Sequence, residues 1–232
     1  MTTETPLGPV VDASPARLPT ARPLAGRFVS LRGLDPAADA RTLYEGSHGP
    51  DASLLWRYLS DGPYSDIGAF SASLAKNALS KDPLYFAIVD NASGDAVGYA
   101  AFLRIDVPNR VIEVGSILYT RRLQRTAGGT EAMYLMAREA FERLGYRRYE
   151  WKCNMFNEPS RQAAIRLGFT FEGAFRQHMI VKGRNRDTAW FSMLDSEWPR
   201  AKQAFEHWLD PANFDADGRQ RRTLSAIREE IS

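Results

Sequence analysis

Three β-rich runs separated by dense turn clusters place the strongest constraint on how this 232-residue chain folds. The runs are residues 84–89, 96–105 and 111–119, and the turns between them are residues 90–95 and 106–110. β-Branched and aromatic residues favour strands, whereas Asp, Asn, Gly and Pro favour tight turns. Because strands joined by such short turns pair side by side, the pattern predicts an antiparallel meander.

The period of the apolar residues changes after the third run. From Thr130 to Leu144 they recur at steps of three and one, which predicts an amphipathic helix that ends at Gly145. A strand at residues 149–153 follows. Crossovers of this kind are right-handed and join parallel strands, so residues 111–119 and 149–153 are predicted to be parallel. The pattern indicates the α/β class, α+β in type, with a mixed sheet.

Capping and turn residues indicate further elements on both sides of this unit. They are a strand at residues 27–34 followed by a helix from Asp35, a helix at residues 64–81, a helix from Asn157 to Gly168, and a hairpin of residues 170–182 and 187–194 that turns at residues 183–186.

Composition favours an ordinary globular domain. Hydrophobic residues make up 44% of the chain, charged residues make up 25%, and the net charge is +2, which gives no overall basic character. The single cysteine excludes an internal disulfide, so we expect a cytoplasmic protein. We expect no signal peptide after Met1 and no membrane span, which would need roughly 18 continuous apolar residues. We predict a Pro-rich N-terminal arm at residues 1–26, one domain at residues 27–210 and a tail or short helix at residues 211–232.

The segment between the third strand and the long helix predicts an anion site. Residues 121–130 contain three arginines, Gly128 and Gly129, and lead into a helix N-terminus. Such a terminus gathers backbone N–H donors and the positive end of the helix dipole, which suits a phosphate. A flexible basic loop is the alternative interpretation. The segment lacks the Gly-Lys-Ser/Thr ending of a Walker loop and does not follow the first strand of a doubly wound sheet, which disfavours nucleotide hydrolysis and hydride transfer.

Two motifs, in this order along the chain, carry a family resemblance. They are the loop at residues 124–130 with Thr130-Glu131-Ala132 opening the helix, and Asn157-x-x-Ser160 followed by Arg166-Leu167-Gly168-Phe169. Over residues 27–198 the chain resembles the GNAT superfamily of acetyl-coenzyme A (acetyl-CoA) dependent N-acetyltransferases, in particular its ribosomal-protein N-terminal acetyltransferases. The resemblance implies a GNAT-like, mostly antiparallel sheet flanked by helices and splayed between strands 4 and 5, here residues 111–119 and 149–153. It also implies acetyl-CoA as the co-substrate, with no metal.

The resemblance further implies which residues hold the cofactor. Pantetheine is expected along the fourth strand, the diphosphate on the loop, and Asn157 at the cofactor arm. The implied cofactor-binding residues are Ser116, Ile117, Leu118, Gln124, Arg125, Thr126, Ala127, Gly128, Gly129, Thr130 and Asn157. Ala127 stands where the family usually has the first loop glycine. If that position needs a positive φ, alanine costs about 1 kcal/mol, and Gly128 and Gly129 are expected to supply the freedom instead.

The chemistry of amine acetylation requires a proton acceptor and a proton donor. The attacking amine must be neutral, and an O–H donor helps the leaving thiolate. We predict that Glu113 is the base, acting through water, with a paired or solvated strand residue as the alternative. Many relatives place a tyrosine where this chain has Ala164, so Ser160 is the predicted donor. Its alternative role is to satisfy the helix end.

A histidine and two aromatic residues are candidates for the acceptor pocket. We predict that His48, Trp56 and Tyr58 contact the substrate. The alternatives are that the histidine is simply exposed to solvent and that the two aromatic rings belong to the core. Cys153 is expected to be a buried structural thiol. The three histidines and one cysteine show no ligand spacing, so we predict no metal site.

The predicted function is the transfer of an acetyl group from acetyl-CoA to a primary amine by direct attack in a ternary complex. The acceptor is a small amine or a peptide or protein N-terminus, and a homodimer is compatible with the sequence. A non-catalytic acyl-CoA sensor is the alternative, and it would be favoured if Glu113 faced the core. An RNA-binding protein, suggested by the arginines and by Tyr146, Tyr149 and Trp151, is a third class with steeply salt-dependent binding. We expect neither a nucleic-acid nor a membrane partner.

Overall fold

A single eight-stranded sheet forms the centre of the structure, a computed structural model that describes residues 7–231. The strands are β1 (Leu24–Ala25), β2 (Val29–Gly33), β3 (Leu84–Asp90), β4 (Ala96–Asp106), β5 (Val111–Tyr119), β6 (Arg148–Asn154), β7 (Thr170–Val181) and β8 (Arg184–Leu194). Their order across the sheet is β1-β2-β3-β4-β5-β6-β8-β7. The expected absence of a signal peptide falls on residues 1–6, outside the described part.

Seven α-helices flank the sheet within the described residues. They are α1 (Pro36–Ser47), α2 (Ala52–Leu55), α3 (Ile67–Leu79), α4 (Ala127–Arg138), α5 (Glu158–Leu167), α6 (Trp198–Leu209) and α7 (Leu224–Glu230). A π-helical turn, Glu139–Arg143, continues α4, and a 3₁₀ turn, Pro211–Asn213, follows α6. Among residues 7–231, no helix is both long and apolar enough to cross a membrane.

The predicted fold class is confirmed. Strands β3, β4 and β5 form the antiparallel meander, and β5 and β6 are the sheet's one parallel pair within the described chain. The ladder of that pair runs from Val111–Arg148 to Val114–Trp151 and then stops, although both strands continue. The sheet is therefore splayed between the two strands that were counted fourth and fifth from the sequence.

The two faces of the sheet carry different helices. Ala100 in β4 packs with the buried residues of α4 and α6, whereas Tyr99 beside it packs with Leu43 of α1 and with Phe70 and Leu74 of α3. Successive residues of a strand point to opposite faces, so α4 and α6 cover one side and α1 and α3 the other. A cleft between β5 and β6 thus has a helix layer on each side.

Helix α4 begins earlier than the sequence suggested. Its first residue is Ala127, and Thr126 caps it by accepting the Gly129 N–H at 3.1 Å. Ala127, Gly128 and Gly129 are therefore the first turn of the helix rather than part of the loop. Two adjacent glycines weaken the helical pattern in the sequence, which explains the error.

Other boundaries also differ from the prediction. The β7–β8 hairpin turns at Lys182 and Gly183, whose φ angles are +49° and +70°, rather than at residues 183–186. A two-residue turn with positive φ at both positions matches the twist of the flanking strands. Helix α3 starts at Ile67, because the Asp66 side chain accepts the Ala69 N–H. No helix was assigned at α6, which starts without a side-chain cap that could signal it.

The segments outside the predicted domain contact it. Ala16 is buried, and its N–H donates to the Val107 carbonyl at 3.1 Å. Strand β1 pairs with β2, and Leu224 and Ile227 of α7 belong to the main core. The division into arm, domain and tail stays a prediction.

Candidate active site

The open end of the β5–β6 pair forms the cleft around which the predicted site residues gather. Because the two strands are parallel, their carboxyl ends lie at the same edge of the sheet. After Val114, β5 contains a β-bulge: two of its residues, Ser116 and Ile117, lie opposite the single residue Ala100 of β4. Ser116 has a φ of +48°. The bulge bends β5 away from β6 and leaves its backbone at Ser116 and Ile117 without a partner in β6. Leu118 is buried against α1 and α3.

The first turn of α4 follows directly from β5. Arg125, at φ +59°, carries the left-handed conformation before the cap, while Ala127 has no positive φ. The expected conformational cost of Ala127 therefore does not arise. Arg125 itself adopts the conformation that the sequence had associated with a glycine.

Gly128 and Gly129 are needed for close approach rather than for backbone freedom. A Cβ on Gly128 would lie 2.8 Å from Val29 Cγ1, and a Cβ on Gly129 would lie 2.9 Å from the Leu123 carbonyl oxygen. Real Cβ atoms do not approach so closely. The pair lets the start of α4 lie directly against β2 and the end of the loop.

This helix start presents backbone donors. The Gly129 N–H is capped, whereas among residues 7–231 the N–H groups of Ala127 and Gly128 donate no hydrogen bond. The Gln124 side chain donates to the Tyr119 carbonyl at 2.8 Å. The arrangement is that of an anion site.

The arginines of the loop differ in their pairing. Arg121 pairs with Asp51, and Arg122 lies 2.7 Å from Asp95, so two of the three positive charges are neutralised. Arg125 is exposed and forms no ion pair with the described residues. The positive charge of the loop that forms no ion pair with the described residues is thus that of Arg125, beside the helix start.

The N-terminus of α5 lies at the same edge of the sheet. The Asn157 side-chain oxygen accepts the Ser160 N–H at 3.3 Å, and its amide nitrogen makes no bond to the described residues. The Ser160 hydroxyl accepts the indole N–H of Trp151 at 3.0 Å. The Cys153 thiol lies within hydrogen-bonding reach of the same hydroxyl. Arg166 of α5 donates to the Thr130 hydroxyl at 3.0 Å and links α5 to α4.

Glu113 lies on β5, one residue before the ladder ends. Its side chain is buried, with Lys152 Nζ 2.9 Å and Arg104 Nε 3.4 Å from Oε2. Burial raises the pKa of Glu113, and the two cations oppose the rise. A Cβ on Gly115 would lie 3.4 Å from Oε1, so this oxygen reaches along β5 toward the bulge. Glu113 lies in a buried ionic cluster and not in the apolar core.

The segment between α1 and α3 contains the predicted acceptor residues. His48 Nε2 accepts the Tyr64 N–H at 3.0 Å, its Nδ1 lies 3.0 Å from the Ser47 hydroxyl, and burial lowers its pKa. Trp56 is fully buried and donates to the Ser47 carbonyl. Of the three, only the Tyr58 hydroxyl reaches the cleft, where it donates to the Phe156 carbonyl at 2.8 Å. The contact of His48 and Trp56 with substrate stays a prediction.

Sequence reasoning missed several charged residues around the cleft. Lys152 lies 2.6 Å from Glu150 as well as beside Glu113, and its ammonium lies 3.8 Å from the centre of the Trp190 ring. Asp61 accepts a hydrogen bond from the Tyr64 hydroxyl. The signal for Lys152 was the placement of two charges, at residues 150 and 152, on one face of an otherwise apolar strand.

Cys153 is buried, as expected, and burial raises the pKa of its thiol. Tyr146, Tyr149 and Trp151 are also buried and so present no exposed ring on which a base could stack.

Comparisons with known proteins agree with the resemblance drawn from the two motifs. A family model described as an acetyltransferase (GNAT) domain matches residues 29–170. A solved structure of a GCN5-related N-acetyltransferase from Brucella melitensis is 47% identical, with 94% of this chain and 99% of that chain covered and a TM-score of 0.92. A structure from Chromobacterium violaceum, provisionally described as a GNAT-family acetyltransferase, is 37% identical, with 86% and 100% covered and a TM-score of 0.76.

One curated relative bears a more specific name. A Bacillus subtilis protein with the provisional name ribosomal N-acetyltransferase YdaF is 29% identical over 109 residues, which are 47% of this chain and 59% of that relative. The match thus spans less than two thirds of that relative's length.

Proposed function

This chain belongs to the GNAT family of acetyltransferases, and we propose that it transfers the acetyl group of acetyl-CoA to a primary amine by direct attack in a ternary complex. The observation that carries the proposal is the cleft at the open end of β5 and β6, with the start of α4 on one side and the start of α5 on the other.

The residues around this cleft fit acetyl-CoA. The uncapped N–H groups of Ala127 and Gly128, together with the exposed Arg125, suit the diphosphate. The backbone of Ser116, Ile117 and Leu118, freed from β6 by the splay, suits the amide groups of pantetheine. Five further residues complete the proposed cofactor site. They are Gln124, Thr126, Gly129 and Thr130, which shape the helix start, and Asn157, whose amide nitrogen is free to donate.

Glu113 is the proposed base. A raised pKa brings a carboxylate closer to the neutral pH at which a general base is most effective. Its Oε1 reaches toward Gly115 and the bulge, so a single water would connect it to an amine placed there. Lys152 and Arg104 keep the carboxylate charged and ready to accept a proton.

Ser160 is the proposed donor to the leaving sulfur. The Trp151 N–H occupies a lone pair of its oxygen and polarises the hydroxyl, which makes the O–H a better donor. In the balanced reaction the acceptor ammonium loses one proton to solvent through Glu113. Its nitrogen then forms the C–N bond as the C–S bond breaks, and the thiolate takes up the second nitrogen proton by way of Ser160.

The acceptor is proposed to be a peptide or protein N-terminus or a small amine. The name of the Bacillus subtilis relative supports the first. The residues around the cleft are compatible with both. A non-catalytic acyl-CoA sensor is the second candidate, because the two cations around Glu113 are also typical of a purely structural ion cluster.

Calorimetric titration tests the proposal. Acetyl-CoA should bind with micromolar affinity, and pantetheine without the diphosphate should bind far more weakly. Turnover on any primary amine, lost in Glu113→Gln, would support the enzyme. Binding without turnover on a broad amine panel would favour the sensor, and absence of acetyl-CoA binding would refute both.

A further inference from the structure

Hydrogen bonds from two other parts of the chain hold the segment between α2 and α3 beside the cleft. Tyr58 donates to the Phe156 carbonyl in the β6–α5 connection at 2.8 Å. Lys182, at the tip of the β7–β8 hairpin, donates to the carbonyls of Trp56 at 2.9 Å and Gly62 at 2.6 Å. The side chain of Lys182 thus anchors the segment to the hairpin. The segment is thereby held in a defined position beside the open end of the sheet.

Asp61 is the acidic residue of this fastened segment. It is half-buried, and the Tyr64 hydroxyl, which also lies 2.6 Å from the Ser73 hydroxyl, donates to its carboxylate. The Tyr64 ring packs edge-on against Trp56 with centroids 5.5 Å apart. The Tyr64 hydroxyl thus fixes the orientation of this carboxylate.

Two further tyrosines pack on the same buried cluster as Trp56 and Tyr64. Tyr85 of β3 and Tyr99 of β4 are in edge contact, with ring centroids 5.8 Å apart. The Ser116 hydroxyl at the β5 bulge lies within reach of the Tyr85 hydroxyl, and the charge of Asp61 contributes to the raised pKa of Tyr85 and of Tyr99. Tyr64, which binds Asp61, and Tyr85 pack against the same buried cluster. Asp61 and the bulge therefore lie on the same side of the sheet.

Asp61 differs from Glu113 in its pairing with cations. Among residues 7–231, no arginine or lysine forms a salt bridge with it. Lys182 acts on it only from a distance, and its ammonium is already occupied by two carbonyls. Glu113, by contrast, has both Lys152 and Arg104. A carboxylate that forms no salt bridge, beside an aromatic side chain, is suited to bind an ammonium group.

We propose that Asp61 binds the ammonium of the acceptor, and that the acceptor is a primary amine with no carboxylate on the amine-bearing carbon. This inference rests on the proposed acetyl transfer and specifies its acceptor. A carboxylate on the amine-bearing carbon would lie close to Asp61, and the two negative charges would repel each other. Amines whose neighbouring group is neutral, such as peptide N-termini and simple amines, satisfy the site, whereas free amino acids do not.

Three probes that share a phenylethylamine skeleton test the acceptor class: phenylalaninamide, phenylalanine and 2-phenylethylamine. We expect the wild-type protein to acetylate the amide and the simple amine, with kcat/KM at least about tenfold above that for phenylalanine. Equal rates for phenylalanine and its amide would overturn the acceptor class, as would failure of the acetyl-CoA-bound protein to bind either neutral-flanked amine.

Variants test the assignment to Asp61. Asp61→Asn should raise the KM for phenylalaninamide about tenfold or more, with a smaller change in kcat. It should also narrow the difference in kcat/KM between phenylalaninamide and phenylalanine. Asp61→Glu retains the charge and should keep that difference. Glu45→Gln, which removes an exposed carboxylate from α1, is the matched control. It should change neither the KM for phenylalaninamide nor the difference in kcat/KM between the two compounds. A wild-type KM in Asp61→Asn would overturn the proposal.

Acetyl-CoA affinity separates this proposal from the proposed function. Both Asp61 variants should bind acetyl-CoA as the wild type does, because Asp61 contacts none of the proposed cofactor residues. If the wild type itself fails to bind acetyl-CoA, the proposed function fails. If it binds acetyl-CoA and the Asp61 variants behave as wild type toward amines, only the acceptor proposal fails.

Discussion

The indole N–H of Trp151 donates to the hydroxyl oxygen of Ser160 across 3.0 Å, which joins a core residue of β6 to the first turn of α5. The Ser160 N–H is used separately, by the Asn157 side chain that caps the helix. The backbone of Ser160 thus completes the cap, while its hydroxyl accepts from the indole and lies within reach of the Cys153 thiol. The structural role and the proposed catalytic role can therefore be tested apart.

Ser160→Ala should lower kcat by about 10²-fold, because the leaving thiolate loses its donor while the cap, made by the backbone N–H, remains. Trp151→Phe should have a smaller effect, since the hydroxyl is retained and only its polarisation is lost. Steady-state assays of thiol release measure both. Ser225→Ala on α7 is the control, and a wild-type kcat in Ser160→Ala would remove Ser160 from the mechanism.

The rate should fall on the acid side through the ionisation of Glu113. Burial raises its pKa above the ordinary value, so the carboxylate is protonated at a higher pH than an exposed glutamate. Arg104 lowers this pKa, so Arg104→Gln should move the acid limb of kcat/KM to higher pH. Glu113→Gln should abolish the limb and reduce kcat by about 10²-fold or more. A pH profile unchanged in both variants would argue against Glu113 as the base.

Ala127→Gly should bring no gain in acetyl-CoA affinity, although it restores the usual family glycine. Ala127 lies in the first turn of α4 without a positive φ, so glycine adds only unfolded-state entropy. We expect a loss of up to about 1 kcal/mol in the free energy of unfolding. Calorimetry and urea unfolding measure the two quantities, and a marked increase in affinity would show that the alanine does restrict the phosphate site.

Gly129→Ala should destabilise the protein by about 1–3 kcal/mol through overpacking. The added Cβ would lie 2.9 Å from the Leu123 carbonyl oxygen and 3.1 Å from Tyr119 Cε2, so α4 must shift. Gly49→Ala is the matched control, because a Cβ there meets nothing within 4 Å. The midpoint of urea unfolding should fall for the first variant alone, and equal midpoints would contradict the close approach.

His48 should make the protein less stable in mild acid. Burial lowers its pKa below the unfolded value, so the unfolded chain binds the proton more readily and stability is lost as pH falls below about 6.5. Protonation also removes the acceptor for the Tyr64 N–H. His48→Gln should reduce the drop in Tm between pH 7 and pH 5, whereas His207→Gln, on the exposed side of α6, should leave it unchanged.

Elements with local signals were predictable. The alternation and turn clusters of β3, β4 and β5 act within a few residues, and so do the Asn157 cap and the Gly168 stop of α5, whose φ is +102°. Their order then made the β5–β6 pair parallel. Helix α6 had no side-chain cap to mark it, and the glycines of α4 signalled a loop, because only their contacts with Val29 and Leu123 explain glycine in a helix.

The candidate site was partly predictable for the same reason. Asn157 and Ser160 lie in a short motif on one helix start, and the structure places both at the cleft. His48 and Trp56 are aromatic neighbours in a loop, a pattern that does not distinguish a pocket wall from a core residue. Asp61 gave no local signal, because the segment that contains it is held in place by residues distant in sequence, Phe156 and Lys182.

The sequence by itself determined the family, the mixed sheet with its splayed pair, and the two helix starts at the cleft, because periodicity, caps and motifs act over a few neighbouring residues. Only the tertiary structure decided that Glu113 forms salt bridges, whereas Asp61 forms none with the described residues. Glu113 meets Lys152 from the next strand, and Lys182 reaches the segment that holds Asp61 from more than 100 residues away. Pairing, burial and pKa depend on distances through space, and the fold alone sets those distances.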